Sequence, residues 1–316
     1  MRTAIPLTVL ATVLACSLAS IPAHARARVF VASYGSDSNP CTFGSPCRNF
    51  QQAVNVVDAG GEVTAIDSAG FGPISINKAV TITSPDGVEA GIVPAAGGNA
   101  IDISAGSTDA VVLHGLTPNG SGVGSYGILF SSGQSLTVEN CIARNLIDGL
   151  HVVSTATTTR TLAVSNSYFN NNGQSGIFIG TASSGNITAA IERTGLNGNG
   201  NNGILVFGTP GVTGQPTVAV TDSVAANNFC GFCLDSDSAG PTSTLSLTHV
   251  LSEGNGTGVS ADGVHGFIYL TQSTLTGNAQ SFFVSGGGSR IFSYLDNTMA
   301  AGNGPPLGSL TTVAKQ

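Results

Sequence analysis

The chain has 316 residues, a length that fits one domain or two once a leader is removed. Only 9% of the residues are charged and 43 are glycine, yet Val, Ile, Leu and Phe recur at regular intervals, which a disordered chain does not need. The formal net charge of −7 argues against a nucleic-acid partner, because phosphate binding needs a basic patch. We therefore expect a folded protein that does not bind nucleic acid.

Residues 1–25 have the pattern of a signal peptide. Arg2 precedes an apolar run over residues 5–21, and Ala23-His24-Ala25 forms an A-x-A cleavage site. This pattern predicts a mature chain that starts at Arg26 and is secreted or periplasmic. Lipoprotein processing at Cys16 is the alternative, which ranks second because a good A-x-A site follows. We expect no transmembrane span, since the apolar run is marginal in length and the cleavage site follows it.

Removal of the leader leaves five cysteines in a chain that meets an oxidising compartment. Cys41 and Cys47 flank a Gly-Ser-Pro turn, which predicts a disulfide between them. Cys230 and Cys233 form a C-x-x-C in a strand-turn repeat rather than before a helix, so we expect either a local disulfide or two free thiols. Cys141 is left over and is expected to be a buried small hydrophobe.

An asparagine that follows an apolar run and precedes a Gly-apolar pair recurs along the chain. The steps between successive copies are 26, 27, 27, 29, 27, 23 and 25 residues. An apolar residue eight positions before most copies recurs in phase and is predicted to point inward. The asparagines are Asn119, Asn145, Asn172, Asn199, Asn228, Asn255, Asn278 and Asn303. The apolar residues are Val164, Ile191, Val220, Leu247, Leu270 and Leu295.

Within each repeat the apolar residues have a period of two, as at Leu162 and Val164 and, after a corner glycine, at Ile177 and Ile179. This period indicates strands, and three short strands with their turns fill a coil of 23–29 residues. One coil cannot bury its inward residues alone, whereas stacked coils bury a continuous apolar column. We therefore predict an all-β parallel β-helix. Its corner asparagines are expected to adopt the left-handed backbone conformation and to bond the next coil through their side-chain amides.

The ends of a β-helix need capping, because an open coil exposes strand edges. Ser45-Pro46 predicts the start of a helix with Ser45 as its N-cap, and Gly60-Gly61 predicts its end. Residues 26–61 would then hold an N-terminal strand, the disulfide loop and this capping helix. Residues 62–303 would form the β-helix, and residues 304–316 a C-terminal tail.

The opening Val-Phe-Val-Ala-Ser at residues 29–33, the 41–47 loop, the helix and the stacked coils resemble the secreted bacterial right-handed parallel β-helix proteins of the pectin-lyase-like superfamily. The resemblance covers nearly the whole mature chain and implies a right-handed coil. Members include pectate lyases, polygalacturonases and alginate epimerases, so the resemblance also implies a relation to polysaccharides. The Asn-Thr-Asp, Asp-Asp, Gly-His-Gly and Arg-Ile-Lys motifs of polygalacturonases and the Asp-Pro-His-Asp of epimerases are absent from the sequence. No catalytic residue is therefore carried over.

Asp235 and Asp262 are the first candidate site. Each lies four residues after its corner glycine, so the two carboxylates are expected on neighbouring coils. Such a pair raises one pKa, as an acid/base pair requires, or it holds Ca²⁺. Asp237 and His265 are close enough in sequence to join the site. The competing interpretation is a pair of solvated turn residues.

Arg193, Asp222 and His249 are the second candidate site. Each lies two residues after an inward residue, which stacks them on three successive coils, with Glu192 beside Arg193. A carboxylate between a guanidinium and an imidazole can bind or protonate a sugar oxygen. A polar corner stabilised by opposite charges is the competing interpretation. His114 and His151 have no clear partner in the sequence.

The sequence thus predicts a secreted, monomeric β-helix that binds or acts on a polysaccharide. A hydrolase would use Asp235 and Asp262 as its acid/base pair, whereas a lyase would use Ca²⁺, with Arg193 as the base. A non-catalytic surface or adhesin-like solenoid is the alternative, because the predicted outer faces carry few charges. Longer turns, which would wall a groove, are predicted around residues 119–126, 180–186, 208–216 and 235–243.

Overall fold

The computed structural model describes residues 26–237, 239–300, 304 and 307–314. Within them the chain winds into a parallel β-solenoid, in which each strand pairs with the equivalent strands of the coils before and after it. Neighbouring strands of a sheet are thus separated by a whole coil in sequence, as in the pairing of Leu162 with Ala189. The predicted all-β parallel β-helix is therefore confirmed. No helix among the described residues reaches the length and apolar character that a membrane crossing requires.

The sheets form three sides of the solenoid. The twelve-stranded sheet comprises Arg28–Val31, Gly61–Ala65, Val80–Thr83, Ala110–His114, Ser135–Glu139, Arg160–Ser165, Ile187–Glu192, Pro216–Thr221, Ser243–Thr248, Gly266–Thr271, Arg290–Tyr294 and Thr311–Val313. The nine-stranded sheet comprises Ile74–Ile76, Ile101–Ser104, Tyr126–Ser132, Asp148–Ser154, Ser175–Thr181, Asn202–Gly208, Cys230–Ser236, Thr257–Gly263 and Gln280–Val284. The third side has a three-stranded sheet of Ala69–Gly70, Ala90–Ile92 and Leu116–Pro118, joined by a bridge from Asn119 to Arg144 to a seven-stranded sheet. That last sheet comprises Ile142–Arg144, Tyr168–Asn170, Gly195–Asn197, Val224–Ala226, Leu251–Glu253, Thr274–Thr276 and Thr298–Met299.

Alternation along each strand places one row of apolar side chains inside the solenoid. Five of the six predicted inward residues of the twelve-stranded sheet are buried, namely Val164, Ile191, Val220, Leu247 and Leu270. The prediction for Leu295 is wrong, because this residue is 78% exposed. Leu270 pairs with Ser293, so Ser293 takes the inward position in that coil and is 6% exposed. Leu295 lies two residues beyond it, outside the strand.

A column of buried asparagines runs along the corner between the seven-stranded and nine-stranded sheets. From Asn172 to Asn255, each side-chain amide donates to the Oδ1 atom of the next asparagine at 3.0–3.1 Å, and that Oδ1 atom also accepts the backbone N–H of the preceding one. The members are Asn172, Asn199, Asn228, Asn255 and Asn278. Because these amides lie in an apolar interior, each needs its partner on the next coil to satisfy its hydrogen bonds.

Two details of the predicted asparagine repeat are wrong. Arg144 pairs with Asn170, so Leu146 rather than Asn145 stands level with Asn172, and its backbone N–H donates to Asn172 Oδ1. Asn145 has the predicted left-handed conformation, with φ of 57°, but from Asn172 onward that conformation falls one residue before the column rather than on it. The residues with positive φ there are Asn171 at 56°, Gly198 at 68°, Asn227 at 58°, Gly254 at 63° and Gly277 at 61°. Asn303 lies outside the described residues.

The helix spans Phe50–Val56 and packs against the strands Arg28–Val31 and Ile74–Ile76. Its predicted start at Ser45-Pro46 is wrong, because Ser45 and Cys47 form β-bridges with Thr42 and Val31 and keep this stretch extended. Its predicted end at Gly60-Gly61 is late, since the helix already ends at Val56 and Gly61 belongs to a strand. That the helix caps the solenoid stays a prediction.

Asp37 holds the turn before the helix. Its carboxylate accepts the backbone N–H groups of Arg48 and Asn49, each at 2.9 Å, and the Asn49 side-chain amide at 2.6 Å. Burial acts to raise the pKa of Asp37, but these hydrogen bonds outweigh it and hold the pKa below its ordinary value.

Two disulfides are present among the described residues. Cys41 and Cys47 are bonded as predicted, with their Cα atoms 4.6 Å apart. Cys230 and Cys233 are also bonded, which settles the alternative that the sequence left open. Cys141 is the buried free thiol, and burial raises its pKa to about 12, so it is unreactive. The predicted signal peptide and the alternative modification at Cys16 lie outside the described residues.

Replacement of Asn228 by Ala is expected to lower the free energy of unfolding by roughly 3 kcal/mol, because it leaves buried groups of Asn199 and Leu196 without partners. The measurement is urea unfolding followed by circular dichroism. Asn201→Ala is the matched control, because the exposed Asn201 side chain makes no hydrogen bond within the described residues. Equal stability of the two variants would contradict the role given to the column.

Candidate functional site

The first candidate pair lies on the outer face of the nine-stranded sheet. Asp235 and Asp262 occupy the same position of adjacent strands, Cys230–Ser236 and Thr257–Gly263, and are direct partners in the pairing register. Adjacent strands lie about 4.8 Å apart. The register therefore brings the two carboxyl groups together, as the sequence predicts, and Phe207 holds the same position on the preceding strand.

The two carboxyl groups have different surroundings. Desolvation by burial is the largest cause that raises the pKa of Asp235, and the negative charges of Asp262 and Asp237 raise it further. Asp262 Oδ1 accepts hydrogen bonds from the Ser285 hydroxyl and from the backbone N–H of Gly263. Asp235 thus keeps its proton to higher pH than an ordinary aspartate, while the Asp262 carboxylate is held by two donors. This asymmetry is what an acid/base pair needs.

Two further residues were predicted near this pair. Asp237 acts on it through its charge, since that charge is one of the causes that raise the pKa of Asp235. The Nδ1 atom of His265 is buried and has no hydrogen-bond partner within the described part of the chain. No hydrogen bond joins this imidazole to Asp235 or Asp262, so the membership of Asp237 and His265 in the site stays a prediction.

The oxygen donors around Asp235 and Asp262 bear on the alternative of a Ca²⁺ site. Within residues 26–237, 239–300, 304 and 307–314, no group of three or more His, Cys, Asp and Glu residues is arranged to hold a metal ion. Ca²⁺ takes about six to eight oxygen ligands. Asp235 and Asp262 supply two carboxylates, one of which is already engaged by Ser285 and Gly263. These residues do not fit a Ca²⁺ site built by the protein alone.

Arg193, Asp222 and His249 stack at the corner between the twelve-stranded and seven-stranded sheets. All three have left-handed backbones, with φ of 46°, 49° and 52°, and their side chains are about half exposed. Arg193 forms an ion pair with Glu192 and donates to Asn166 at 2.8 Å. The Asp222 carboxylate lies 3.7 Å from His249 Nδ1. The same conformation recurs on neighbouring coils at Asn140, Asn166 and Gln272.

This geometry is that of an exposed polar corner, so a catalytic role for the three residues stays a prediction. The corner also lies on a different side of the solenoid from Asp235 and Asp262, because the nine-stranded sheet does not border it. Arg193 therefore cannot serve as a base beside the acid pair. The lyase mechanism predicted from the sequence loses its proton acceptor.

A third cluster was missed by the sequence interpretation. The prediction that His151 is isolated is wrong: its Nδ1 atom lies 2.8 Å from Asp148 Oδ2, and its ring is stacked between Tyr126 at 4.1 Å and Phe178 at 4.6 Å. His114 is not isolated either, since it contacts Ser84 and Asn140. The sequence did indicate that His151 stacks on Phe178, because both residues lie two positions after a corner glycine.

Surface depressions lie toward the N-terminal coils. One is lined by Asn119, Asn145 and Asn171 among others, and another by Asp86, Glu89 and Arg144 among others. Asp235 and Asp262 line neither of them. Both carboxylate side chains are partly exposed at the surface of the nine-stranded sheet. The longer predicted turns are present as the connections 119–125, 182–186, 209–215 and 237–242, the last including one residue outside the described set.

Comparisons with known proteins bear on the fold. No protein-family model and no curated protein sequence matches the chain. Among solved structures, pectate lyase Pel9A is similar, with a TM-score of 0.61 and 14% identity, over 91% of this chain and 78% of that chain. A GH136 lacto-N-biosidase from Eubacterium ramulus has a TM-score of 0.49 and 10% identity, over 91% and 67% of the two chains. Polygalacturonase from Erwinia carotovora ssp. carotovora has a TM-score of 0.45 and 11% identity, over 92% and 97%. The likeness to the pectate lyase establishes a pectate-lyase-like parallel β-helix fold.

Asp235→Asn is expected to raise the melting temperature at pH 7. A folded-state pKa above the unfolded value means that ionisation of Asp235 costs stability, and this cost appears as pH rises from the unfolded toward the folded pKa. The gain should therefore disappear near pH 3, where the carboxyl group is protonated in both states. Thermal unfolding at the two pH values measures the effect, with the exposed corner variant Asp222→Asn as the control. A lower melting temperature at pH 7 would contradict the assigned environment.

Proposed function

We propose that the chain binds a polysaccharide along the outer face of the nine-stranded sheet and hydrolyses it with Asp235 and Asp262. The observation that carries this proposal is the direct pairing of the two carboxyl groups on adjacent strands, with the pKa of one of them raised. Two carboxyl groups in different environments are the usual machinery of glycoside hydrolysis. The open sheet face is long enough to lie along a polymer.

Asp235 is the proposed general acid, because its raised pKa keeps it protonated to higher pH than an ordinary carboxyl group. It gives its proton to the leaving glycosidic oxygen while Asp262 attacks the anomeric carbon. Asp235 then takes a proton from the water that releases the sugar from Asp262. Side chains at paired positions of strands about 4.8 Å apart can reach the carboxyl separation of roughly 5–5.5 Å that retaining enzymes use, which is shorter than the roughly 6.5–9.5 Å of inverting ones. We therefore assign retention of configuration.

The fold supports a relation to polysaccharides, because the similar solved structure is that of a pectate lyase. Elimination is less well supported than hydrolysis, since Arg193 lies at another corner and the donor set does not fit Ca²⁺. The two disulfides agree with a secreted or periplasmic location, which we include in the proposal together with cleavage before Arg26 and a monomeric state.

A stiff, non-catalytic solenoid is the second candidate function. It is favoured by the outer face of the twelve-stranded sheet, where Thr161, Thr188, Thr217 and Thr244 form an uncharged row along four coils. Such a face suits contact with a neighbouring surface rather than chemistry. A folded chain that releases no product from any polysaccharide would favour this function.

Asp235→Asn is expected to lower the rate of product release at least about 100-fold, because the amide cannot supply the proton that the leaving oxygen needs. The measurement is the release of reducing ends from a panel of neutral and acidic polysaccharides. Asp86→Asn, which changes an exposed carboxylate in a turn outside both candidate sites, should keep full activity. Equal rates for Asp235→Asn and the unchanged chain would remove Asp235 from the mechanism.

Asp237→Asn is expected to move the alkaline limb of the pH–rate profile to lower pH by less than about one unit. The Asp237 charge helps to raise the pKa of Asp235, so its removal lets the general acid lose its proton earlier as pH rises. The profile of kcat/KM against pH measures this shift. An alkaline limb that stays in place, or moves upward, would show that Asp235 is not the group whose protonation limits the rate.

A further inference from the structure

Tyr126, Asp148 and His151 form a second polar cluster on the outer face of the nine-stranded sheet. The Asp148 carboxylate is buried, with a side chain that is 6% exposed, and it contacts His151 Nδ1 at 2.8 Å and the backbone N–H of Ser175 at 2.7 Å. The His151 ring is nearly parallel to both neighbours, at 16° to Tyr126 and 7° to Phe178. The imidazole is therefore fixed in position and in orientation.

Two polar atoms of this cluster have no partner in the described chain. Because Asp148 holds Nδ1, the neutral His151 ring carries its proton there and presents Nε2 as a hydrogen-bond acceptor. Neither Nε2 nor the Tyr126 hydroxyl hydrogen-bonds to a described residue, and neither is enclosed. Tyr126 and Phe178 cover both faces of the His151 ring, so a sugar cannot stack on this imidazole. What the cluster offers is a fixed acceptor beside a phenolic donor.

The charge of the nine-stranded sheet favours a neutral polysaccharide over an anionic one as the ligand. The nine strands contain no Lys or Arg, whereas they carry four aspartates, which are Asp102, Asp148, Asp235 and Asp262. A polyuronate would meet like charges and no cation, since opposite charge is what binds an anionic chain. A neutral polysaccharide presents only hydroxyl groups and ring oxygens, which match an acceptor and a donor.

We propose that Tyr126 and His151 form a sugar-binding site for a neutral polysaccharide, on the same face as the acid pair. His151 Nε2 accepts a sugar hydroxyl, the Tyr126 hydroxyl donates to a sugar oxygen, and Asp148 positions the imidazole. The strand of Asp148 is three strands from that of Asp235, or about 14 Å, so the two sites contact different sugar residues of one chain. This inference rests on the proposed function for its ligand and adds the substrate class.

The test measures binding in an Asp235→Asn background, so that turnover does not interfere. Affinity gel electrophoresis compares two neutral polymers, hydroxyethylcellulose and a galactomannan, with polygalacturonate. Tyr126→Phe keeps the stacked ring and removes a hydroxyl that bonds no described residue, so it should fold normally. We expect it to weaken binding of a neutral polymer roughly tenfold. His151→Phe keeps the stacking and should weaken it further, whereas Tyr269→Phe, which removes a hydroxyl from another sheet, should leave binding unchanged.

Three results would overturn the inference: unchanged binding by Tyr126→Phe, equal or tighter binding of polygalacturonate, or no binding of either neutral polymer. Failure here is distinguishable from failure of the proposed function. If Tyr126→Phe binds normally while Asp235→Asn abolishes hydrolysis, the acid pair stands and this site falls. If neutral polymers bind through Tyr126 but no polysaccharide is hydrolysed, this site stands without the catalytic one.

Discussion

The buried asparagine column is the interaction on which the rest of the structure depends. Each amide is satisfied by the equivalent residue of the next coil, so a coil that slipped by one residue would bury unpaired amide groups. The same slip would also turn the inward apolar side chains outward, so the core and the column specify one register. The column therefore fixes the register from Asn172 to Asn278, and every outward side chain in that span receives defined neighbours above and below.

This constraint explains how residues far apart in sequence form a site. Asp235 and Asp262 are separated by a full coil, yet the pairing register makes them direct neighbours. Their contrast in environment arises locally: Asp237 adds charge near Asp235, and Ser285 comes from the following connection to hold Asp262. The local surroundings of each carboxyl group thus set its proton affinity. The pairing of successive coils sets how close the two carboxyl groups lie.

The sequence predicts the fold and the adjacency of Asp235 and Asp262 well, because both depend on a repeat that can be read directly. The sequence prediction is wrong where a shift of one or two residues decides which side chain points inward. The motif around Asn145 looks like the repeat, but the strand pairing places Leu146 in the column. Leu295 is misplaced for the same reason. The His151 cluster was missed because its partners Tyr126 and Asp148 precede the corner glycines on which the coils were aligned. The helix start at Phe50 depends on β-bridges of the preceding loop, which local helix signals do not contain.

The stack of coils also fixes the distances between outward side chains in equal steps. Two side chains on the same face and at the same coil position are separated by a whole number of strand spacings, each about 4.8 Å. Insertion or deletion of one complete coil would change the separation of two groups by one such step while leaving their orientation relative to the sheet unchanged. Distances on this molecule can therefore change only in discrete increments, and the length of a bound polymer that the face can contact is counted in coils rather than adjusted by its loops.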